Sequence, residues 1–260
     1  MTPEKKTAEP QTFDPVRAAA IEALALIEGG AQTESAVADV TRGRNFRPLD
    51  IRFLLQLVNG ATKMRRRLDH ELRFYLARPA MELPPALQNI FRLGFYQILF
   101  TDRVPAAAAV SESVNLARRF VEPNQAGLVN AVLRARLREP QKVKFVSQDS
   151  NPVKYLGDTY SYPDYFVEYC ISEFGFERAE HLLEMYNRAP HVTYRVNFLK
   201  AKPDEVAHQL QEAGIEFSYG KFLPEFMHIE SAGLPLEDQL LSTGKVFVQD
   251  ESAGLPIRLL

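Results

Sequence analysis

The five histidines, at positions 70, 181, 191, 208 and 228, include no pair at a spacing that would put two imidazoles on one metal ion. Neither a Gly-x-Gly-x-x-Gly turn nor a phosphate-cradling P-loop occurs. Cys170 shares a helical face with Phe166, Val167, Ile171 and Phe174, so it reads as a buried structural thiol, not a nucleophile. These residues therefore supply no catalytic group, no metal site and no cofactor site.

The groups that could do chemistry are cationic. Arg42, Arg44 and Arg47 lie in a loop, TRGRNFRP, and Lys63, Arg65, Arg66 and Arg67 follow at a helix junction. Clusters of this kind bind phosphate backbones because neutralising them releases condensed counterions. Arginine adds two-pronged geometry to the charge. The competing reading is a solvated helix end whose arginines complement the C-terminal dipole. We take RNA as the partner of all seven groups. Replacing Arg65, Arg66 and Arg67 together by alanine is then expected to weaken RNA binding and leave thermal stability nearly unaltered. A third basic face, Gly127, Asn130, Arg134 and Arg138, lies opposite an apolar stripe and reads as packing or interdomain hydrogen bonding.

The elements that must position these groups change character along the chain. Residues 15–139 read as all-helical. Ile21, Leu24, Ala25 and Ile27 form one stripe, ended by Gly29-Gly30. Pro48 suits a first helical turn, and Leu49, Phe53, Leu57 and Met64 continue in register through Gly60, which is either a stop or a tolerated helix residue. Leu68, Leu72 and Leu76 repeat every four residues up to Pro79. Residues 86–100 are apolar on nearly every side, the mark of a central helix. A helix over 106–120 follows, then one capped by Asn124 with the stripe Leu128, Val129, Val132, Leu133 and Leu137. Short connections between such helices predict an antiparallel bundle.

Periodicity lapses over 141–160, which reads as a linker. Beyond it, residues 165–174 and 179–187 read as helices and Val192–Val196 as a strand. A helix over 203–213 and strand candidates at 215–219, 226–229 and 245–249 complete a small α/β module with a short antiparallel sheet. The fold expected is thus all-helical, then α+β.

Composition narrows the class. In 260 residues, 46% are hydrophobic and 25% charged, the balance of a globular protein. No apolar run is long enough to span a bilayer, residues 1–14 read as a disordered leader without a secretory signal, and a single cysteine forms no internal disulfide. A cytoplasmic protein without a membrane partner is expected. The net charge of −2 argues against indiscriminate coating of nucleic acid. It hides 20 Lys+Arg against 15 Asp+Glu in residues 1–140, a balance of +5, and 11 against 18 in 141–260, a balance of −7. The basic half is the nucleic-acid candidate, unless the halves neutralise one another.

Several segments, in order, resemble a known family. IFRLGFYQILFTDRVPAAAAVSESVNLAR and GLVNAVLR resemble the NusB-like RNA-binding domain at the front of the Sun/RsmB ribosomal RNA methyltransferases. YPDYFVEY, NRAPHVTYRVN and GKVFVQDESAGLP resemble that family's pre-catalytic segment. The resemblance implies a NusB-like RNA-binding domain over 15–140, a pre-catalytic module over 161–245, and over 246–260 the start of a methyltransferase domain that is otherwise cut off. It implies a parent that uses S-adenosylmethionine to methylate carbon 5 of a cytosine in small-subunit ribosomal RNA, with two catalytic cysteines and a glycine-rich cofactor loop. None of those is found in residues 1–260, so no catalytic or cofactor residue is carried over. The partners implied are ribosomal RNA, not DNA, and the missing catalytic domain within the same chain. The alternatives are a stand-alone NusB-like RNA-binding or antitermination-type module, and a protein-interaction scaffold.

Overall fold

The computed structural model describes residues 13–77, 79, 82–122, 124–188, 192–229 and 235–259. Of the leader expected over residues 1–14, residues 1–12 lie outside the described residues, as does His191, whereas Phe13 packs on the core and Asp14 caps the first helix. The chain divides between Asn187 and Arg188 into two units.

The first unit is built of helices and their connections, with no strand among its described residues. α1 (Pro15–Glu28) starts where the Asp14 carboxylate accepts the backbone N–H groups of Val16 and Arg17 at 2.8 and 3.1 Å. That satisfies two donors a helix start otherwise strands. α2 (Thr33–Thr41) and α3 (Pro48–Lys63) follow, the latter with proline in its first turn as expected. α4 (Arg65–Leu72), α5 (Pro85–Phe100), α6 (Ala106–Phe120) and α7 (Gln125–Arg138) complete the bundle. α5 is the central helix: Leu87, Ile90, Phe91, Leu93 and Phe95 are all fully buried. Each such side chain contributes roughly 1.5–3 kcal/mol through removal from water.

Two glycines permit the close packing around α5. A Cβ at Gly94 would sit 2.8 Å from the Ser113 hydroxyl oxygen and 2.9 Å from a Leu133 methyl, so α6 and α7 approach only a bare backbone there. At Gly60 a Cβ would fall 1.9 Å from the Tyr96 ring, and α3 runs straight through this residue. The helix therefore tolerates the glycine because Tyr96 requires it.

Several local expectations need correction. α4 stops at Leu72, because residues 73–75 turn out of the helix, so Leu76 packs on the core from outside it. Asn124 precedes α7 but makes no side-chain cap. Leu49 and Leu137, placed on apolar stripes, are exposed, each near a helix end beyond the packed turns. Part of the stretch expected as a linker is a helix, α8 (Pro152–Tyr160), begun by the Asn151 side chain accepting from the Lys154 N–H at 2.9 Å. α8 packs with α9 (Asp164–Phe174) and α10 (Phe176–Asn187) around Leu156, Val167, Cys170, Ala179 and Leu183. Cys170 is buried in that cluster, and burial pushes its thiol pKa up.

The second unit holds β1 (Val192–Val196), α11 (Pro203–Glu212), β2 (Phe217–Tyr219), β3 (Phe226–Ile229), α12 (Pro235–Ser242), β4 (Val246–Val248) and α13 (Glu251–Leu259). Its sheet runs β2-β3-β1-β4, antiparallel at every pair, with Tyr194 opposite both Met227 and Val248. The alternation predicted for 192–196 puts Tyr194 and Val196 into a core with Met227, Ile229, Val206 and Leu210. The antiparallel sheet expected from the sequence is present. Across the sheet, α13 brings Gly254 against Phe226 and buries the Glu251 carboxylate on the backbone N–H groups of Lys221, Phe222 and Leu223, at 2.6–3.0 Å.

Candidate nucleic-acid interface

The seven cationic groups singled out in the sequence have different surroundings. Arg42, Arg44 and Arg47 lie on the connection between α2 and α3. The Arg42 and Arg47 side chains are 79% and 77% exposed and pair locally with Asp39 and Asp50. The Arg47 guanidinium reaches both Asp50 oxygens at 2.9 and 3.0 Å, and its backbone N–H also donates to Asp50. Those hydrogen bonds hold the Asp50 carboxyl below its usual range. Exposed pairs three residues apart bind weakly, so both guanidiniums stay available to a phosphate. Arg44 pairs with Glu22 of α1.

Lys63, at the end of α3, is exposed and donates to the carbonyl of Tyr186 at 2.5 Å. Arg65 is exposed and forms no ion pair among the described residues. Arg66 and Arg67 are committed to the fold. The Arg66 guanidinium donates to Asp158 (Nε to Oδ1, 2.8 Å), to the carbonyl of Tyr162 at 2.7 Å and to Asp164 at 2.5 Å. Arg67 donates to Glu71 at 2.8 Å and lies 4.4 Å from the centre of the Phe145 ring.

The acceptors are as deeply placed as the donors are charged. Asp158 also faces His70 at 3.0 Å and Lys154 at 3.2 Å. Burial alone would raise its pKa. Hydrogen bonds from His70, Arg66 and Lys154 outweigh burial and hold the carboxyl far below the usual carboxylate range. Glu71 is fully buried and shared between Arg67 and Arg136, the latter at 2.7 Å. His70 bridges Asp158 to the carbonyl of Lys144, 3.0 Å away, and stacks on Phe145 at 4.4 Å. This network ties α4 to α8 and to the segment before it. The expectation that alanines at 65–67 leave stability unaltered is therefore overturned for Arg66 and Arg67. A solvated helix end describes Arg65 alone.

Two grooves flank the α3–α4 junction. One, of about 410 Å³, is lined by Lys63, Arg65, Arg66, Ser161 and Tyr162 among others. The other, of about 430 Å³, is walled by Met64, Tyr96, Phe100 and Tyr160, with Lys63 and Arg67 also on its lining. Sequence reading missed Phe100 and Tyr160. They lie sixty residues apart and look like ordinary helix ends until α8 folds against the bundle. On the third basic face, Arg134 donates to Asn130 at 2.8 Å, a local pair on an exposed helix surface. Among the described residues, no cluster of metal-ligating side chains occurs and no helix is long and apolar enough to cross a membrane.

Comparison with known proteins bears on both units. Residues 14–138 match the NusB family, and residues 162–235 match the ferredoxin-like domain of RsmF/B-like methyltransferases. The second match begins just before α9, so it spans the division after Asn187. A probable ribosomal RNA small subunit methyltransferase B from Synechocystis is 32% identical over 82% of this chain and 48% of that protein. Its Bacillus subtilis counterpart is 29% identical over 94% of this chain and 54% of that protein. The chain thus spans about half the length of the curated relatives it matches. The crystal structure of PH0851 shares the fold, with a TM-score of 0.59 at 19% identity, covering 95% of this chain and 55% of that one.

Proposed function

We propose that this chain, in which a match to the NusB family is followed by a match to the ferredoxin-like domain of RsmF/B-like methyltransferases, corresponds to the N-terminal part of an RsmB-like protein and is the RNA-recognition portion of an S-adenosylmethionine-dependent ribosomal RNA cytosine-C5 methyltransferase. The observation that carries the reading is the pairing of the two domains in one chain. A stand-alone NusB-like module has no need of the second. Residues 1–260 act by binding and orienting RNA. The cysteines that attack and release the base, and the loop that holds the methyl donor, belong to a catalytic domain whose motifs these residues lack.

Contact begins on the bundle. Arg42 and Arg47 present guanidiniums that only weak local pairs occupy, and Arg65 adds a third. Arg44 and Lys63 extend the basic surface, whereas Arg66 and Arg67 act mainly by fixing α4 in place. The test is a binding titration of the full chain against fragments of small-subunit ribosomal RNA, with a DNA of matched sequence as competitor. Saturable binding of a ribosomal fragment that the DNA fails to displace supports the reading. Equal binding to RNA and DNA, or none to either, overturns it.

A further inference from the structure

We propose that the cavity between α3, α5, α8 and α10 is a binding site for one unstacked nucleotide of single-stranded RNA, an inference that rests on the RNA-recognition reading above. Its volume of about 430 Å³ suits a single base with its ribose and excludes a duplex. Tyr96 and Phe100 form a stacked pair in its wall, ring centres 5.8 Å apart and 26° from parallel. Tyr160 and Met64 supply further apolar wall, and the Gly60 backbone lies bare beside Tyr96. Phe100 is 39% exposed, so a face of the stack is left for another planar ring. Burial and the neighbouring Glu180 push the Tyr160 phenol up to about 12, so it stays neutral beside a base.

The charge is arranged for a strand, not for an isolated small molecule. Lys63 belongs to the lining of both grooves at the α3–α4 junction. Its ammonium spends one hydrogen on the Tyr186 carbonyl, which holds it in place and leaves two for a phosphate. Arg65, exposed and without an ion pair among the described residues, lines the second groove. A backbone crossing Lys63 would put one base against Phe100 and carry the next phosphate toward Arg65. Aromatic stacking plus a backbone cation is how sequence-tolerant contacts to single strands are made.

The chain has no tryptophan, so a single-stranded ribo-oligonucleotide carrying 2-aminopurine can be excited without protein fluorescence. Stacking in the cavity quenches that probe. With the full chain, quenching should accompany binding. Phe100→Leu, which keeps apolar bulk and removes the ring, should abolish the quench and weaken binding about tenfold. Phe100→Tyr, which keeps the ring, should retain both. Lys63→Ser should lower the log–log salt slope by about 0.7. If the parent binds RNA but Phe100→Leu binds and quenches as the parent does, the cavity is not occupied and the inference fails alone. If the parent binds no RNA, the functional reading fails with it.

Discussion

Replacing Arg66 and Arg67 together by alanine should destabilise the helical unit as a core substitution does, while Arg65→Ala should leave it unmoved. Arg66 is one of three partners of Asp158, a side chain only 7% exposed, at 2.8 Å. Its loss leaves that carboxylate with His70 and Lys154. Arg67 is one of two partners of Glu71, whose side chain is 1% exposed, and its loss leaves Arg136 alone. Breaking a buried ion pair from one side costs about 3–5 kcal/mol when nothing compensates. Each carboxylate here keeps some compensation, so about 3–5 kcal/mol is expected for the double variant. For a chain of this size that lowers the melting temperature by roughly 6–20 °C. Arg65 is exposed, and loss of an exposed charge contributes little. Thermal unfolding of the full chain, followed by the helical circular-dichroism signal, reads all three proteins. A double variant that melts with the parent would refute the claim that this network clamps α4 to α8.

Three further outcomes follow from the same geometry and the sequence. Because the Asp158 carboxyl is depressed in the folded state, its contribution is complete above the ordinary carboxylate range near 3.8 and is lost as pH falls below it. The gap in melting temperature between parent and Asp158→Asn should therefore narrow on acidification, and a constant gap would contradict the assignment. Gly60→Ala should lower stability by about 1–3 kcal/mol despite the better helix propensity of alanine, because its Cβ would meet the Tyr96 ring at 1.9 Å; a chemical denaturation midpoint at or above the parent's would contradict it. Calorimetric titration with S-adenosylmethionine should give no saturable heat, and a one-to-one micromolar isotherm would contradict the non-catalytic reading.

The parts of the fold legible in the sequence are those whose burial is written in apolar spacing. α5, apolar on all sides, is the bundle's centre, and the alternation at 192–196 is a strand with Tyr194 and Val196 inward. α8 was illegible because its buried face is Leu156, Gly157 and Asp158, where an ion network stands in for a hydrophobic stripe. α2 was missed for a related reason: it buries only Ala36, Val37 and Val40. The basic clusters show the limit most clearly. Arg65, Arg66 and Arg67 are identical in type and adjacent, yet one faces water and two hold buried carboxylates. The acceptor that distinguishes Arg66 is Asp158, 92 residues away in sequence. Charge can be counted along a chain, but what neutralises it is set by packing. Family motifs recovered what periodicity could not, because order along the chain survives where each segment alone is ambiguous.

The central claim, that this chain recognises RNA through the bundle's cationic surface, is tested most directly by the salt dependence of its affinity for a small-subunit ribosomal RNA fragment. The parent should lose affinity steeply with salt, each phosphate contact adding roughly 0.7–0.9 to the log–log slope. Replacing Arg42, Arg47 and Arg65 together by alanine should flatten that slope by roughly 2–3 and leave the melting curve in place. A parent whose binding ignores salt, or a triple variant whose affinity and slope match the parent's at every concentration, would contradict it.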